Sequence, residues 1–444
     1  MTTFTNIIYF YLTNIFSIFF GFLSFFLLSK YLSLENFGIY SSFINLIIFL
    51  NYLLDLGISN FCWKKIAENK KNFNKIFWFS LIIYFFTFFL TFLILSFYKI
   101  EILLFVIFSV LSNLFRSFLF GLKKIKEIFI SDTISYFIKI LTILLFIKNL
   151  SLNIVLLSVF LHFFTSFILK LLFLKNEIVY SIKNFYFEIK KEYFSPLLSS
   201  YILLILPIFY TNFSIALFSY LFDYKISAII YFAFNITSVA SIFSSSFYST
   251  FLPKLAEKRN KKILNFIFKI STILSILIFI TLAFFYKEIL ILINKEYLNY
   301  IEKIFFLIFS FSLFFYSSFL SYIAFVENKY KEILIVEILA NLIFFISLNF
   351  INIFSYLICF IIRTIFYIFV LEDVEKKFFF FLIFLLIPFL FHSFELLIKI
   401  LIFSLFLLFF IIIIKKLKIL KEEKNVLKKF KFPKIFVQIF SKLI

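Results

Sequence analysis

Charged side chains that stand inside long apolar runs are the residues of this sequence most able to do chemistry. An ionised group at the centre of a bilayer costs about 3 to 15 kcal/mol, so each should face water, a ligand or an opposite charge. Arg116 and Arg363 are two of only three arginines in the chain, and the planar guanidinium binds phosphate or carboxylate oxygens in pairs. The other members of this set are Asp55, Asp132, Lys139, Lys269 and Glu337.

Two roles for the arginines are open from the sequence. Either at least one contacts an anionic ligand such as a diphosphate, or each is paired with Asp132 or Glu337 as a clamp between helices. Asp132 and Lys139 are seven residues apart, which places them two turns apart on one helix face. Asp55 and Lys269 stand nearer the ends of their runs, from which charged side chains reach the membrane surface.

Amides and prolines complete the set of candidate residues. Asn14 and Asn212 lie in apolar runs and are candidate neutral contacts to a ligand. Pro196 and Pro207 frame the first half of one run, where the missing N–H permits either a hinge or a static kink. The sequence has no glycine-rich phosphate loop, metal-ligand cluster or Ser-His-Asp arrangement. We therefore expect no cofactor and no metal site; binding of a coupling cation, H⁺ or Na⁺, by an acidic residue is the one open alternative.

The composition decides what kind of element holds these side chains. Apolar residues make up 64% of the 444 residues and charged residues 15%, against roughly 45–50% and 25% in a soluble domain. This mixture excludes a water-soluble enzyme. The 4 Gly and 5 Pro are too few for a turn-rich β fold, and the apolar runs reach the roughly 20 residues with which a helix crosses a bilayer. The sequence predicts an all-α polytopic membrane protein.

The apolar runs and their charged breaks predict fourteen spans. Their limits are 5–29, 37–59, 76–98, 101–122, 128–147, 152–174, 196–221, 226–251, 264–286, 301–325, 332–351, 353–371, 378–394 and 396–414. Connections after even-numbered spans carry 21 Lys and Arg, excluding the C-terminal tail, and those after odd-numbered spans carry 7 when Lys399, near the start of span 14, is counted with them. Because cytoplasmic loops collect basic residues, we expect both termini and the even-numbered connections in the cytoplasm. The membrane, rather than nucleic acid, then accounts for the net charge of +21.

Two short matches indicate an internal repeat. Residues 65–68 read Lys-Ile-Ala-Glu and 254–257 read Lys-Leu-Ala-Glu, while 124–128 and 329–333 share the pattern Lys-x-Lys-Glu-Ile. Each match is displaced by six spans, which predicts two six-helix lobes in a parallel pseudo-twofold repeat. The predicted parts are an N-lobe at 1–175, a cytoplasmic linker at 176–195, a C-lobe at 196–371, two extra spans at 372–414 and a basic cytoplasmic tail at 415–444.

Several stretches resemble a known family. They are 31–40 (Tyr-Leu-Ser-Leu-Glu-Asn-Phe-Gly-Ile-Tyr), 54–58 (Leu-Asp-Leu-Gly-Ile), 65–67 (Lys-Ile-Ala), 251–255 (Phe-Leu-Pro-Lys-Leu) and 327–329 (Glu-Asn-Lys). Together they resemble the polysaccharide-export flippases of the Wzx type, which translocate O-antigen and capsule repeat units. That family shares the multidrug/oligosaccharidyl-lipid/polysaccharide flippase (MOP) superfamily with multidrug exporters and lipid II flippases.

The resemblance implies fourteen spans, two lobes and two extra C-terminal helices. It implies a transporter of the bacterial inner membrane, not an enzyme, that moves an undecaprenyl-diphosphate-linked oligosaccharide from the inner to the outer leaflet by alternating access. The implied partners are that lipid, membrane lipid and polysaccharide polymerase or assembly proteins, with no nucleic acid. Two alternatives are open: a cation-coupled multidrug exporter of the same fold, and a membrane polysaccharide polymerase or ligase, which would need a large outer loop.

Overall fold

The computed structural model of the chain describes residues 2–70, 73–95, 100–185, 201–202, 205–238, 261–327, 329–371, 396, 399–400 and 402–407. Pro196, predicted span 13, the repeat segment 254–257 and the basic tail lie outside these residues. The described segments are helices joined by short turns. No strand occurs among them, as the sequence predicts.

The chain divides into two compact units, Met1–Tyr231 and Phe232–Ile444. The helices of the first unit are α1 (Thr2–Tyr31), α2 (Leu34–Asp55), α3 (Ile58–Glu68), α4 (Phe73–Leu95), α5 (Ile100–Gly121), α6 (Ile125–Leu145), α7 (Leu152–Phe173), α8 (Lys175–Lys183) and α9 (Ser214–Leu221). A π-helical turn, Phe209–Phe213, leads directly into α9. Helix α10, residues 224–238, carries the chain into the second unit.

Four helices and their short connections follow in the described part of the second unit. These are α11 (Lys261–Ile293), α12 (Ile301–Val326), α13 (Tyr330–Ile351) and α14 (Ser355–Val370), with 3₁₀ turns at Lys295–Tyr300 and Asn352–Phe354. α14 is the shortest of the four, with 16 residues. The described part of predicted span 14 packs on α11, where Lys399 Nζ lies 3.1 Å from Glu288 Oε1.

The helices follow the predicted spans closely. Nine of the predicted spans, numbers 1, 3 to 6 and 9 to 12, each coincide with one helix within a few residues. Six helices of the described residues are long and apolar enough to cross a membrane. Helices of soluble proteins are on average shorter and have one polar face. The length and apolar composition of these helices therefore indicate repeated membrane crossing.

Span 2 differs from the prediction of one helix over 37–59. α2 ends at Asp55, and α3 continues from Ile58 to Glu68. Leu56 and Gly57 between them both have left-handed backbone conformations, with φ of 46° and 77°. Glycine adopts such a φ without strain, whereas the leucine does so at a cost. The sequence does not show the break, because apolar residues continue through it.

Polar contacts place the connections after spans 2, 4 and 6 on one side of the first unit. Trp78 Nε1, near the start of α4, donates to the carbonyl of Ser181 in α8 at 3.0 Å. Lys124, in the turn before α6, lies 2.6 Å from Glu177 Oε1 in α8. Because three successive even-numbered connections meet, the helices between them cross the unit in alternating directions.

The predicted repeat is visible in the turn before α6 and the turn before α13. The amide of Lys124 donates to Leu119 O at 2.9 Å, and that of Lys329 donates to Ala324 O at 3.0 Å. The side chain of Lys124 caps the last carbonyl of α7 at 3.1 Å, and that of Lys329 caps the last carbonyl of α14 at 2.7 Å. Equivalent backbone and side-chain contacts at the same spacing support a structural repeat over these helices.

The predicted lobe limits stay a prediction. The first compact unit reaches beyond residue 175 because the described part of span 7 packs on α2. The rings of Phe49 and Phe213 have centroids 4.6 Å apart, and those of Phe49 and Phe209 lie 5.1 Å apart.

Gly38 allows a close approach of backbones, which gives a testable expectation. A Cβ placed on Gly38 would lie 1.9 Å from the carbonyl oxygen of Tyr224, whereas one placed on Gly21 would have no heavy atom within 4 Å. We expect Gly38→Ala to lower the yield of monodisperse protein severely and Gly21→Ala to leave it unchanged. Size-exclusion chromatography of a fluorescent fusion measures both, and equal yields would contradict the close contact.

Candidate functional site

The first polar network joins α5, α6 and α7. Lys170 Nζ lies 2.9 Å from Asp132 Oδ1 and donates hydrogen bonds to Ser112 Oγ at 3.0 Å and Ser166 Oγ at 2.8 Å. Asp132 and Lys170 are only 6% and 2% exposed. An ammonium group has three N–H donors, so Lys170 is fully engaged, and it ties three helices together.

Arg116 belongs to the same network but is held more loosely. One terminal nitrogen lies 3.5 Å from Asp132 Oδ2, and its side chain is 35% exposed. The guanidinium carbon lies 5.6 Å from the centroid of the Phe120 ring. Neither Arg116 Nε nor Asp132 Oδ2 has a hydrogen-bond partner among the described residues. Arg116 therefore retains donors that a ligand can use.

Lys139 lies on α6, two turns beyond Asp132. Lys139 is half-buried and forms no salt bridge within the described part of the chain. The ring of His162 in α7 packs on Tyr136 of α6, between Asp132 and Lys139 in the sequence, with centroids 4.5 Å apart. The Nδ1 atom of His162 is buried without a hydrogen-bond partner among the residues described. Asp132 and Lys139 thus share one face, as their spacing predicts.

A second network joins α12, α13 and α14 around Arg363. Its Nη2 and Nε donate to Glu337 Oε1 at 2.7 and 3.1 Å, and its Nη1 donates to Ser317 Oγ at 2.5 Å and to Phe314 O at 3.2 Å. Tyr367 donates its hydroxyl to the same Glu337 oxygen at 2.7 Å. Arg363 and Glu337 are each 1% exposed. These contacts are those of an inter-helix clamp, the second of the two roles that the sequence left open.

The two networks occupy equivalent places in the repeat. The offset of 205 residues that relates the two Lys-x-Lys-Glu-Ile turns also carries Ser112 onto Ser317 and Asp132 onto Glu337. In both units the serine and the carboxylate hold one buried cation, at hydrogen-bond or ion-pair distance. Both halves of the chain therefore contain the same arrangement, in which a serine, a carboxylate and a cation on three successive helices contact one another.

The position of the cation differs between the units by one helical turn. The last residues of α7 and α14, Phe173 and Val370, are offset by 197 residues. The same offset carries Lys170 onto Tyr367, which bonds the carboxylate but is uncharged. The same offset places Arg363 on Ser166 of α7, one helical turn before Lys170. The α5 arginine has no charged counterpart, so the first network alone has a surplus of positive charge.

Asp55 lies at the break between α2 and α3. It is 7% exposed, and its carboxylate accepts hydrogen bonds from the backbone N–H of Ser59 at 3.3 Å and from the Ser59 hydroxyl at 2.5 Å. The hydroxyl of Tyr84 in α4 also donates to it. The carboxylate caps the first turn of α3, where the helix dipole favours negative charge. The position of Asp55 near the end of its apolar run had suggested a side chain that reaches the membrane surface. The carboxylate is instead buried among these hydrogen bonds.

Asn212 lies in the π-helical turn that follows Pro207. It donates from Nδ2 to Asn45 Oδ1 of α2 at 2.7 Å, while the Thr211 hydroxyl donates to Pro207 O at 2.8 Å. π-turns are uncommon and occur frequently at functional sites. The turn directs an amide of span 7 at an amide of span 2, so Asn212 is a contact between helices.

Of the remaining candidate residues, the structure describes the side chain of Lys269 but not those of Asn14 and Pro196. Lys269 is buried in α11 with 5% exposure. The side chain of Asn14 and the whole of Pro196 lie outside the described residues. Lys170 was missed, because it follows a long apolar run near its end and resembles a flanking charge. Its place among apolar residues 167–174 was the signal that could have found it. No described group of three or more His, Cys, Asp or Glu is arranged to hold a metal.

Comparison with known proteins confirms the resemblance seen in the sequence. A family model for a polysaccharide biosynthesis protein matches residues 27–127. No curated protein sequence matches the chain. The matched residues run from the end of α1 to the start of α6, and so include the break beside Asp55 and the arginine of α5.

The fold is similar to that of solved transporters. The lipid II flippase MurJ in an inward closed conformation has a TM-score of 0.65 at 18% identity, covering 92% of this chain and 98% of that one. A multidrug resistance MATE family transporter of the MOP superfamily, in an inward-facing conformation, has a TM-score of 0.55 at 14% identity, covering 80% and 92%. The chain is thus a multi-pass, all-α membrane protein whose fold is similar to that of these two transporters, and the predicted fold class is confirmed.

Proposed function

We propose that this chain is a flippase that moves an undecaprenyl-diphosphate-linked oligosaccharide repeat unit from the inner to the outer leaflet of the bacterial cytoplasmic membrane. It works by alternating access and serves O-antigen, capsule or exopolysaccharide assembly. The observation that carries the proposal is a fold shared with a lipid II flippase over 92% of the chain. The match of residues 27–127 to a polysaccharide biosynthesis family favours an oligosaccharide cargo over other lipids.

The polar network of α5 to α7 supports an anionic cargo. Arg116 and Lys170 share a single carboxylate, Asp132, and Lys139 lies two turns further along α6 without a salt bridge among the described residues. A diphosphate supplies the missing negative charge, since phosphate oxygens bind guanidinium and ammonium groups strongly. The sugar and lipid portions of the cargo need no charged partner.

The cellular placement is part of the proposal and gives a topology prediction. Lys148 lies after α6 on the predicted outer side, and Lys126 lies at the start of α6 on the predicted inner side; both are exposed. Native Cys62 and Cys359 are buried, so they give little background. In intact cells, an impermeant maleimide should label Lys148→Cys and spare Lys126→Cys. The reverse pattern would contradict cytoplasmic termini.

A cation-coupled multidrug exporter is the second candidate, because the fold is also shared with a MATE transporter. Asp55 is the acidic residue that suits a coupling cation, H⁺ or Na⁺. Its carboxylate accepts hydrogen bonds from the hydroxyl and amide groups of Ser59 and Tyr84, whereas Asp132 and Glu337 are paired with cations. The relation to transporters favours either candidate over a polymerase or ligase.

Complementation separates the two candidates. The flippase proposal expects the chain to restore surface glycan to a strain lacking its own repeat-unit flippase, and to leave resistance to cationic dyes unchanged. Raised dye resistance without surface glycan would replace the proposal with the exporter. The neighbouring polymerase and assembly proteins are the expected partners in that strain.

A further inference from the structure

We propose that Arg116 and Lys139 form a two-step binding path for the diphosphate of the cargo along helix α6. This inference rests on the proposed flippase function and deepens it by naming the groups that bind the charged headgroup. Arg363, the other candidate from the sequence, is then a positioning residue of its own unit and no ligand contact.

Arg116 and Arg363 differ in their exposure and in the hydrogen bonds that they donate. Arg363 is 1% exposed, and each of its nitrogens donates at least one hydrogen bond to a carboxylate, a hydroxyl or a carbonyl. Arg116 occupies the equivalent helix of the first unit, yet its side chain is 35% exposed and its closest carboxylate oxygen is 3.5 Å away. The ion pair of Asp132 with Lys170 at 2.9 Å already neutralises the carboxylate that Arg116 approaches.

Several buried polar atoms around Asp132 lack a hydrogen-bond partner among the described residues. Buried polar atoms in proteins nearly always have a hydrogen-bond partner, and those without one call for a water, ion or ligand. Three of the buried side-chain atoms that lack a hydrogen-bond partner among the described residues belong to this one network: Arg116 Nε, Asp132 Oδ2, which has only the 3.5 Å ion pair with Arg116, and His162 Nδ1. They belong to α5, α6 and α7 respectively, on side chains that approach Asp132 or its neighbour Tyr136, so the network can hold a polar group besides its own side chains.

Arg116 and Lys139 lie at different depths in the first unit. Arg116 lies five residues before the end of α5, about 8 Å inside the helix end on the side of the even-numbered connections. Lys139 lies 14 residues beyond the start of α6, about 21 Å from that side. Two cations at different depths beside one seam give a headgroup successive partners as it crosses the bilayer.

Simple snorkelling does not explain Arg116. A snorkelling side chain extends toward the headgroups at its helix end. The guanidinium of Arg116 instead turns toward Asp132, which is 6% exposed, and its Nε atom is shielded from solvent.

Direct binding tests the path in the full-length chain. Purified protein in detergent is mixed with undecaprenyl diphosphate, and bound lipid is measured by native mass spectrometry. We expect Arg116→Ala to weaken binding roughly 10- to 100-fold, which corresponds to a lost charge-assisted hydrogen bond. Lys139→Met should weaken it less, and the double variant should abolish it. Lys148→Ala, an exposed lysine on the connection after α6, is the matched control and should bind as the wild type does.

The outcomes distinguish the path from the function. Wild-type binding together with unchanged binding by the double variant would overturn the path and leave the flippase standing. A wild-type chain that does not bind the lipid would overturn both. Competition by phosphatidylglycerol at equal concentration would show a general anionic-lipid site and would also overturn the path. Arg116→Lys, which keeps the charge, replaces the alanine variant if thermal unfolding shows that the alanine chain is misfolded, and it should bind about 10-fold less tightly than the wild type.

Discussion

Replacing Arg363 by alanine is expected to destabilise the second unit by about 3 to 5 kcal/mol, enough to keep most of the protein out of the folded state. The substitution leaves Glu337 buried at 1% exposure with a negative charge and no cation. It also removes the donors that hold Ser317 and Phe314 of α12 against α14. Thermal unfolding of the purified protein, followed by a cysteine-reactive dye, measures the loss. The buried thiol of Cys359 reports directly, because it lies one helical turn before Arg363 on α14.

A double substitution separates a clamp from a functional charge. Exchanging a buried ion pair for apolar residues of similar volume is often neutral, whereas breaking it is costly. We expect Arg363→Met combined with Glu337→Leu to recover most of the stability and most of the surface glycan. If the double variant were stable but inactive, Arg363 would have a role in transport, and the clamp assignment would be wrong.

The loss of Lys170 should be milder than the loss of Arg363, because the first unit has a spare cation. Lys170→Met leaves Asp132 with Arg116, whose terminal nitrogen already lies 3.5 Å from the second carboxylate oxygen. A rotation of the arginine closes this gap, so we expect a destabilisation of roughly 1 to 2 kcal/mol. Arg116→Ala alone should cost less than about 1 kcal/mol, because Lys170 stays at 2.9 Å.

Removal of both cations should then be strongly non-additive. Residues that share one partner couple by roughly 0.5 to 3 kcal/mol, and the double variant leaves Asp132 buried without any cation among the described residues. We expect Lys170→Met with Arg116→Ala to lose more stability than the two single losses together. The double-mutant cycle is measured by thermal unfolding, with Asp132→Asn added as a third change that should restore stability. Additive losses would show that Arg116 does not interact with Asp132.

The helices were predictable because composition and length decide them in a membrane protein. Apolar runs bounded by lysines correspond to α1, α4 to α7 and α11 to α14 within a few residues, since a bilayer admits few alternatives to a helix of about 20 residues. The break at Gly57 was not predictable, because it depends on the carboxylate of Asp55 capping α3. Apolar residues continue through the break and hide it.

The candidate site was predictable in its members and less so in their roles. The cost of a buried charge singled out Arg116, Asp132, Glu337 and Arg363, and the structure brings them together in two separate networks. Which arginine keeps free donors could not be read from the sequence, because it depends on three-dimensional neighbours. Lys170 takes the partner that would otherwise satisfy Arg116.

Translocation of the lipid itself tests the central claim most directly. The purified chain is reconstituted into proteoliposomes that carry a fluorescent undecaprenyl-diphosphate-linked oligosaccharide in both leaflets, and a membrane-impermeant reductant quenches the outer leaflet. We predict that the wild-type chain exposes the whole lipid pool to the quencher within minutes, while empty liposomes and the Arg116→Ala, Lys139→Met double variant expose only the outer half. Exposure of only the outer half by the folded wild-type chain would contradict the flippase account.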